Sequence, residues 1–190
     1  MKLNKYLILA AAALLPLAGL LFAAKPPQDL KNTRVAHGKY LVTIAGCNDC
    51  HTPVKMGPKG PEPDLTRLLS GHPANAHFPP PPKLGPGPWF AAVGAFTAWS
   101  GPWGISYSAN LTPDMNTGLG IWTEETFIRT MRTGKHFGVA RDILPPMPWQ
   151  NLSAMTDEDL KSIYAYLRTI PPVNNAVPAP VPPSGVANFE

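Results

Sequence analysis

Proline limits the amount of regular secondary structure that this chain can form. The 190-residue sequence contains 25 prolines, whereas an average composition of roughly 5% would give about ten. Because proline lacks a backbone N–H and ends helices, much of the chain must be loop. The hydrophobic content of 44% is still enough for a core, and the length favours one domain with insertions. We therefore expect something besides helices and strands to organise the domain.

The first 24 residues have the form of a secretory signal. Lys2 and Lys5 precede the nearly unbroken apolar run of residues 6–24, which is the order of charged and hydrophobic regions in such signals. The run is also close to the roughly 20 residues that cross a bilayer. We predict export to the periplasm, with residues 1–24 either removed as a signal peptide or kept as an N-terminal membrane anchor.

The charge of the chain gives no indication of a nucleic-acid partner. The formal net charge is +4, and two of the positive charges belong to the predicted leader. Lysine and arginine do not form the basic cluster that is typical of nucleic-acid-binding proteins. Nucleic acid is therefore not expected as a partner.

Cys47, Cys50 and His51 form a Cys-x-x-Cys-His motif, the attachment signature of c-type haem. On a helix, positions i, i+3 and i+4 share one face. The two sulfurs can then form thioethers with two porphyrin vinyl groups while the histidine reaches the iron from the same side. The motif predicts one covalently attached haem c, with Cys47, Cys50 and His51 binding the cofactor and His51 as a metal ligand.

A Cys-x-x-Cys pair also has other uses, which the rest of the sequence supports less well. The chain has only two cysteines, so no second pair completes the usual structural zinc site. A thioredoxin-like redox pair needs a βαβ pattern around it, and none is apparent here. A structural disulfide would close a tight four-residue ring.

Met147 is the predicted second axial ligand. Pro145, Pro146 and Pro148 surround it and restrict the backbone that carries its thioether. A neutral sulfur ligand favours Fe(II) and raises the reduction potential relative to two histidines. The rival ligands are His72, His77 and His136, and an open iron position remains an alternative. The other methionines are assigned to the leader, to packing or to loops.

Helical segments are predicted on both sides of a long irregular region. The first covers roughly residues 33–44. The second runs from a cap at Thr123 to a stop at Gly134. The third begins at the cap Thr156 with a capping box, and Pro171 ends it.

The intervening insertion covers about residues 56–101 and is rich in both proline and aromatic residues. Its aromatic content is too high for a disordered segment, so we expect it to pack, with a short strand pair near residues 90–98. Residues 174–190 form a proline-rich tail that is predicted to be flexible or PPII-like.

Several segments resemble those of a known family in their sequence and in their order along the chain. They are Gly38 to Val42 leading to Cys47 to Thr52, then residues 110–114, 117–123, 132–136, 145–148 and 157–173. These segments resemble small bacterial monohaem c-type cytochromes, and specifically one haem domain of the cytochrome c subunits of periplasmic alcohol and gluconate dehydrogenases. The resemblance implies an all-α, cytochrome c-like fold for residues 25–173, His51/Met147 ligation and one-electron transfer.

The same resemblance implies that the first and last helices pack across each other beside the haem. Two features depart from it. Those subunits resemble three such domains in tandem, whereas this chain has one motif, and the insertion is longer than the family pattern.

The function that follows is that of a periplasmic electron carrier, not an enzyme. Its expected partners are redox proteins: a dehydrogenase, other cytochromes or an oxidase of the respiratory chain. Trp122, Trp149 and Arg132 are candidates, by location, for the haem wall or propionate contacts. The alternatives are a haem-based sensor or enzyme with an open axial site, and a thiol redox protein without haem. The insertion is either a docking surface for a redox partner or a cap over the core.

Overall fold

The computed structural model describes residues 28–82 and 90–186. The predicted leader of residues 1–24 lies outside these ranges. The helices are α1 Gln28–Ile44, α2 Cys47–His51, α3 Glu124–Thr133, α4 Trp149–Ser153, α5 Asp157–Leu167 and α6 Pro183–Val186. The strands are β1 Val54–Gly57, β2 Gly60–Pro63, β3 Ala91–Ala92, β4 Ala98–Gly101 and β5 Gly104–Tyr107. Among the described residues, no helix combines the length and the apolar character needed to cross a bilayer.

The prediction of an all-α fold is wrong, because the chain also forms two small antiparallel sheets. One sheet is the hairpin β1–β2, and the other has the strand order β3–β4–β5. The prolines of the insertion prevent helices, and the short stretches between them pair across tight turns. Gly60 and Gly104 follow two of these turns with φ of 112° and 94°, a backbone conformation that glycine adopts readily. The predicted strand pair near residues 90–98 corresponds to β3 and the start of β4.

Two helix starts that were predicted from local sequence are confirmed. The Thr123 hydroxyl accepts a hydrogen bond from the Thr126 N–H at the start of α3. At the start of α5, Thr156 and Asp159 form a reciprocal capping box. Gly134 ends α3 in the left-handed conformation, with φ of 65°, as its position predicted. Helix α1 begins five residues before the predicted start.

Helices α1 and α5 pack across each other, as the family resemblance implied. The contact centres on Gly38, whose α-carbon faces the Ser162 backbone so closely that no side chain fits between the two helices. Residues of α1, α3 and α5 pack together with residues of the loop before α3 and form one hydrophobic core. Its buried members are Leu41, Val42, Leu69, Leu119, Trp122, Phe127, Met131, Leu152, Leu160, Ile163, Leu167 and Ile170.

The described part of the proline-rich tail is anchored to the domain, which differs from the predicted flexible segment. The Asn175 side chain is buried and donates hydrogen bonds to the backbone oxygens of Ser70 and His72 at 2.7 and 2.8 Å. Val181 and Ile105 exchange two backbone hydrogen bonds. Asparagine and valine retain the donors that the neighbouring prolines lack, so the tail can pair without any hydrophobic periodicity.

Candidate haem site

Helix α2 consists of the Cys-x-x-Cys-His motif alone, Cys47–His51. Its helical conformation places Cys47, Cys50 and His51 on one face. Gly46 precedes the helix in the left-handed conformation, with φ of 67°, and turns the chain between α1 and α2. Both cysteines are unpaired and partly buried, so two thiols and an imidazole are presented together.

The imidazole of His51 is arranged as a metal ligand. The side chain is buried, and its Nδ1 lies 2.8 Å from the backbone oxygen of Ala109. A carbonyl oxygen only accepts hydrogen bonds, so Nδ1 carries the proton and Nε2 keeps its lone pair. Burial lowers the pKa of His51, which favours the neutral ring. A neutral imidazole with one nitrogen bonded to a carbonyl is the usual state of a metal-bound histidine.

The cysteines do not have the electrostatics of a redox-active pair. Burial is the main factor that raises the pKa of Cys47, to about 11. The pKa of Cys50 is also raised, by burial first and by Asp49 second. Reactive cysteines have lowered pKa values, so the thiol redox alternative gains no support. Within residues 28–82 and 90–186, no group of three or more histidine, cysteine or acidic side chains has an arrangement that could hold a bare metal ion.

Met147 lies on a loop that other parts of the chain hold in place. Its side chain is partly buried against the same core as Cys47. The Ser106 hydroxyl donates to the Pro145 oxygen at 2.6 Å, and the Trp149 N–H donates to the Met147 oxygen at 2.9 Å. By contrast, Met131 is part of the core, and Met56 and Met115 are exposed.

Sequence reasoning did not find that one segment contacts both predicted ligand loops. Ser106 in β5 bonds to the Met147 loop, and Ala109, three residues later, bonds to His51. The Ala109 contact is made by a backbone oxygen. Every residue type has this atom, so the sequence does not indicate which residue makes the contact. The segment that follows the insertion therefore supports the motif as well as the Met147 loop.

The other residues proposed to surround the haem have different surroundings. Trp122 is buried in the core, and its ring centroid lies 4.6 Å from the ring centroid of Phe137. Arg132 donates to the backbone oxygen of Ser153 and to Asp157. These contacts connect the guanidinium to the end of α4 and the start of α5.

Comparison with known proteins gives several relatives that match most of this chain. The fructose dehydrogenase cytochrome subunit of Gluconobacter japonicus is 31% identical over 89% of the chain. The gluconate 2-dehydrogenase cytochrome c subunit of Pantoea cypripedii is 28% identical over 85%. The cytochrome c subunit of the quinone-type alcohol dehydrogenase of Gluconobacter oxydans is 26% identical over 82%. No protein-family model matches the chain.

The chain spans less than a third of the length of these relatives: 29%, 29% and 25%, respectively. All three are named as cytochrome subunits of dehydrogenases. The resemblance predicted from the motifs is therefore confirmed. Over most of its length, this chain is similar to the cytochrome c subunits of fructose, gluconate and alcohol dehydrogenases.

Proposed function

We propose that the protein is a one-electron carrier with a single haem c, covalently attached through Cys47 and Cys50, with His51 and Met147 as axial ligands. The haem, when bound, supplies an iron that alternates between Fe(III) and Fe(II). The observation that carries the proposal is the state of His51. Its Nδ1–H donates to the backbone oxygen of Ala109, which leaves the lone pair of Nε2 free to bind a metal. His51 also belongs to the same short helix as both cysteine thiols.

The protein's own residues keep the site unchanged during electron transfer. The Ala109 oxygen fixes the orientation and tautomer of the His51 ring. The prolines around Met147 and the hydrogen bond from Ser106 to Pro145 restrict the loop that carries the thioether. Burial of His51 keeps water away from the ligand. Rigid ligands reduce the reorganisation that accompanies a change of charge, which suits electron transfer.

The proposed partner is a dehydrogenase, with onward transfer to the respiratory chain. The names of the relatives support this proposal, since each is a subunit of such an enzyme. The chain carries one Cys-x-x-Cys-His motif, and it spans 29%, 29% and 25% of the length of the three relatives. The charged and apolar pattern of residues 1–24 supports a periplasmic location, either free or anchored to the inner membrane.

Visible spectra of the purified protein, recorded oxidised, reduced, and reduced with carbon monoxide, test the haem and its ligands. We expect a c-type spectrum that carbon monoxide does not change, because Met147 occupies the sixth position. The variant Met147→Ala should bind carbon monoxide. The exposed-site control Met115→Ala should behave as wild type.

Mass spectrometry of the denatured protein tests covalent attachment, since the chain should carry the mass of one haem. Ready carbon monoxide binding by the wild type would favour an open site over the carrier. A chain that never contains haem would refute the proposal altogether.

A further inference from the structure

A cavity of about 470 Å³ lies on one face of the sheet β3–β4–β5. Paired residues of neighbouring strands share a face. The strand register therefore places the cavity-lining residues Ala91, Ala98, Ser100, Ile105 and Tyr107 on the same side of the sheet. Residues 76–82 form the facing wall. The volume is in the range of small-molecule sites, and none of the four haem-site residues lines it.

The described wall of the cavity carries no acidic, lysine or arginine side chain. Its ionisable residues are His72, His77 and Tyr107, and further aromatic surface comes from Phe78. A charged ligand would lose water here without gaining an opposite charge, which is costly. The lining therefore favours a neutral, flat molecule that packs against aromatic and proline side chains.

His72 supplies a buried polar group at this cavity. The residue is 2% exposed. The centroid of its ring lies 5.6 Å from the ring centroid of Phe78 and 4.8 Å from that of Tyr107. Nδ1 is 3.0 Å from the Thr97 hydroxyl, whereas Nε2 forms no hydrogen bond within the described part of the chain. Nε2 is not enclosed by the described residues, and His72 lines the cavity, so this nitrogen is available to a ligand.

The state of His72 determines which polar group suits it. Burial lowers its pKa, so the ring is neutral and Nε2 is either a donor or an acceptor. The Thr97 hydroxyl is compatible with both tautomers, because a hydroxyl both donates and accepts. A ligand hydroxyl pairs with Nε2 in either case, whereas a carbonyl pairs with only one tautomer.

We propose that this cavity is a binding site for a small neutral phenol, with its ring between the aromatic and proline walls and its hydroxyl on His72. The site is separate from the haem residues, so it stands or fails independently of the electron-carrier proposal. It is nonetheless connected to the haem motif by the backbone. The backbone N–H of His72 donates to the backbone oxygen of Ser108, the neighbour of Ala109. The backbone N–H of Gly71 donates to the backbone oxygen of His51.

Isothermal titration calorimetry of the full-length, haem-loaded protein with 4-methylphenol tests the proposal. We expect saturable binding with one site per chain. The matched ligand 4-methylbenzoate has the same ring but a charge, and it should bind at least about tenfold more weakly because its carboxylate meets no cation among the described lining residues. Ligand-observed NMR on the same samples gives an independent measure of binding.

Two variants locate the site. His72→Phe keeps an aromatic ring but removes Nε2, and it should weaken 4-methylphenol binding about tenfold. Ala91→Trp places a large ring in the cavity from the sheet side, and it should abolish binding. Met56→Ala, on the separate hairpin and 77% exposed, is the control that should bind as wild type. A far-ultraviolet circular dichroism spectrum like that of the wild type shows that each variant is folded.

Three results would overturn the proposal. The first is the absence of saturable binding at millimolar 4-methylphenol. The second is equal affinity for the phenol and the benzoate. The third is unchanged binding in a folded Ala91→Trp variant, which would place the phenol elsewhere on the protein.

Discussion

The crossing of α1 and α5 leads to a quantitative prediction for Gly38→Ala. A Cβ at this position would overlap the Ser162 carbonyl oxygen and lie 2.5 Å from its carbon and 2.9 Å from the Tyr166 Cβ. Ordinary contact begins near 3.4 Å, so the backbones must separate by about 0.9 Å or more. Since backbone cannot rotate away as a flexible side chain does, the cost should be near the upper end of overpacking, about 3 kcal/mol.

The same substitution also has a favourable effect that must be subtracted. Replacing glycine by alanine inside a helix gains about 1 kcal/mol. The net loss is therefore about 2 kcal/mol, which lowers the Tm of a domain of this size by about 4–8 °C. Thermal and urea unfolding of the haem-loaded protein, followed by circular dichroism, would measure it.

Gly94→Ala is the matched control, because an added Cβ at Gly94 meets no atom within 4 Å. Its free energy of unfolding should stay within about 0.5 kcal/mol of wild type. If Gly38→Ala were as stable as Gly94→Ala, the close approach of the two helices would be refuted. A gain in stability would show that helix propensity alone operates at this position.

Two further predictions concern polar groups that hold segments distant in sequence. Hydrogen bonds from His37 first, and then from Thr156, lower the pKa of Asp159. Its stabilising effect is therefore complete above the pKa of the unfolded state and is lost as pH falls through the lower pKa of the folded state. Urea unfolding of Asp159→Asn should show a smaller loss of stability on acidification than wild type, and equal losses would contradict this. Asn175→Ala should cost about 3 kcal/mol, because it removes four hydrogen bonds and leaves buried partners unpaired. Chemical denaturation measures it against the exposed neighbour Asn174→Ala, and an equal effect of both changes would show that Asn175 is not an anchor.

The parts of the fold that depend on local sequence could be predicted. Thr156 and Asp159 satisfy each other within three residues, so the start of α5 is visible in the sequence. Gly134 likewise marks the end of α3. The Cys-x-x-Cys-His motif belongs to the same class, since its three side chains need only one helical turn to share a face.

The parts that depend on distant partners could not be predicted. The bonds of Asn175 reach residues more than 100 positions earlier, and a proline-rich tail shows no periodicity that indicates such an anchor. The second sheet joins stretches of two to four residues, too short for alternation to be recognised. The Ala109 oxygen that orients His51 belongs to the backbone, which is the same in every residue.

The contacts of residues 106–109 place a limit on chain length. Ser106 bonds to the loop of one proposed ligand and Ala109 to the other, and three extended residues span about 10 Å. Adding or removing one residue between them would shift Ala109 relative to Ser106, so the two contacts could not form together. The hairpin β1–β2, whose pairing is internal, is under no such constraint. Insertions and deletions during evolution should therefore accumulate around residues 58–59 and be excluded between Ser106 and Ala109.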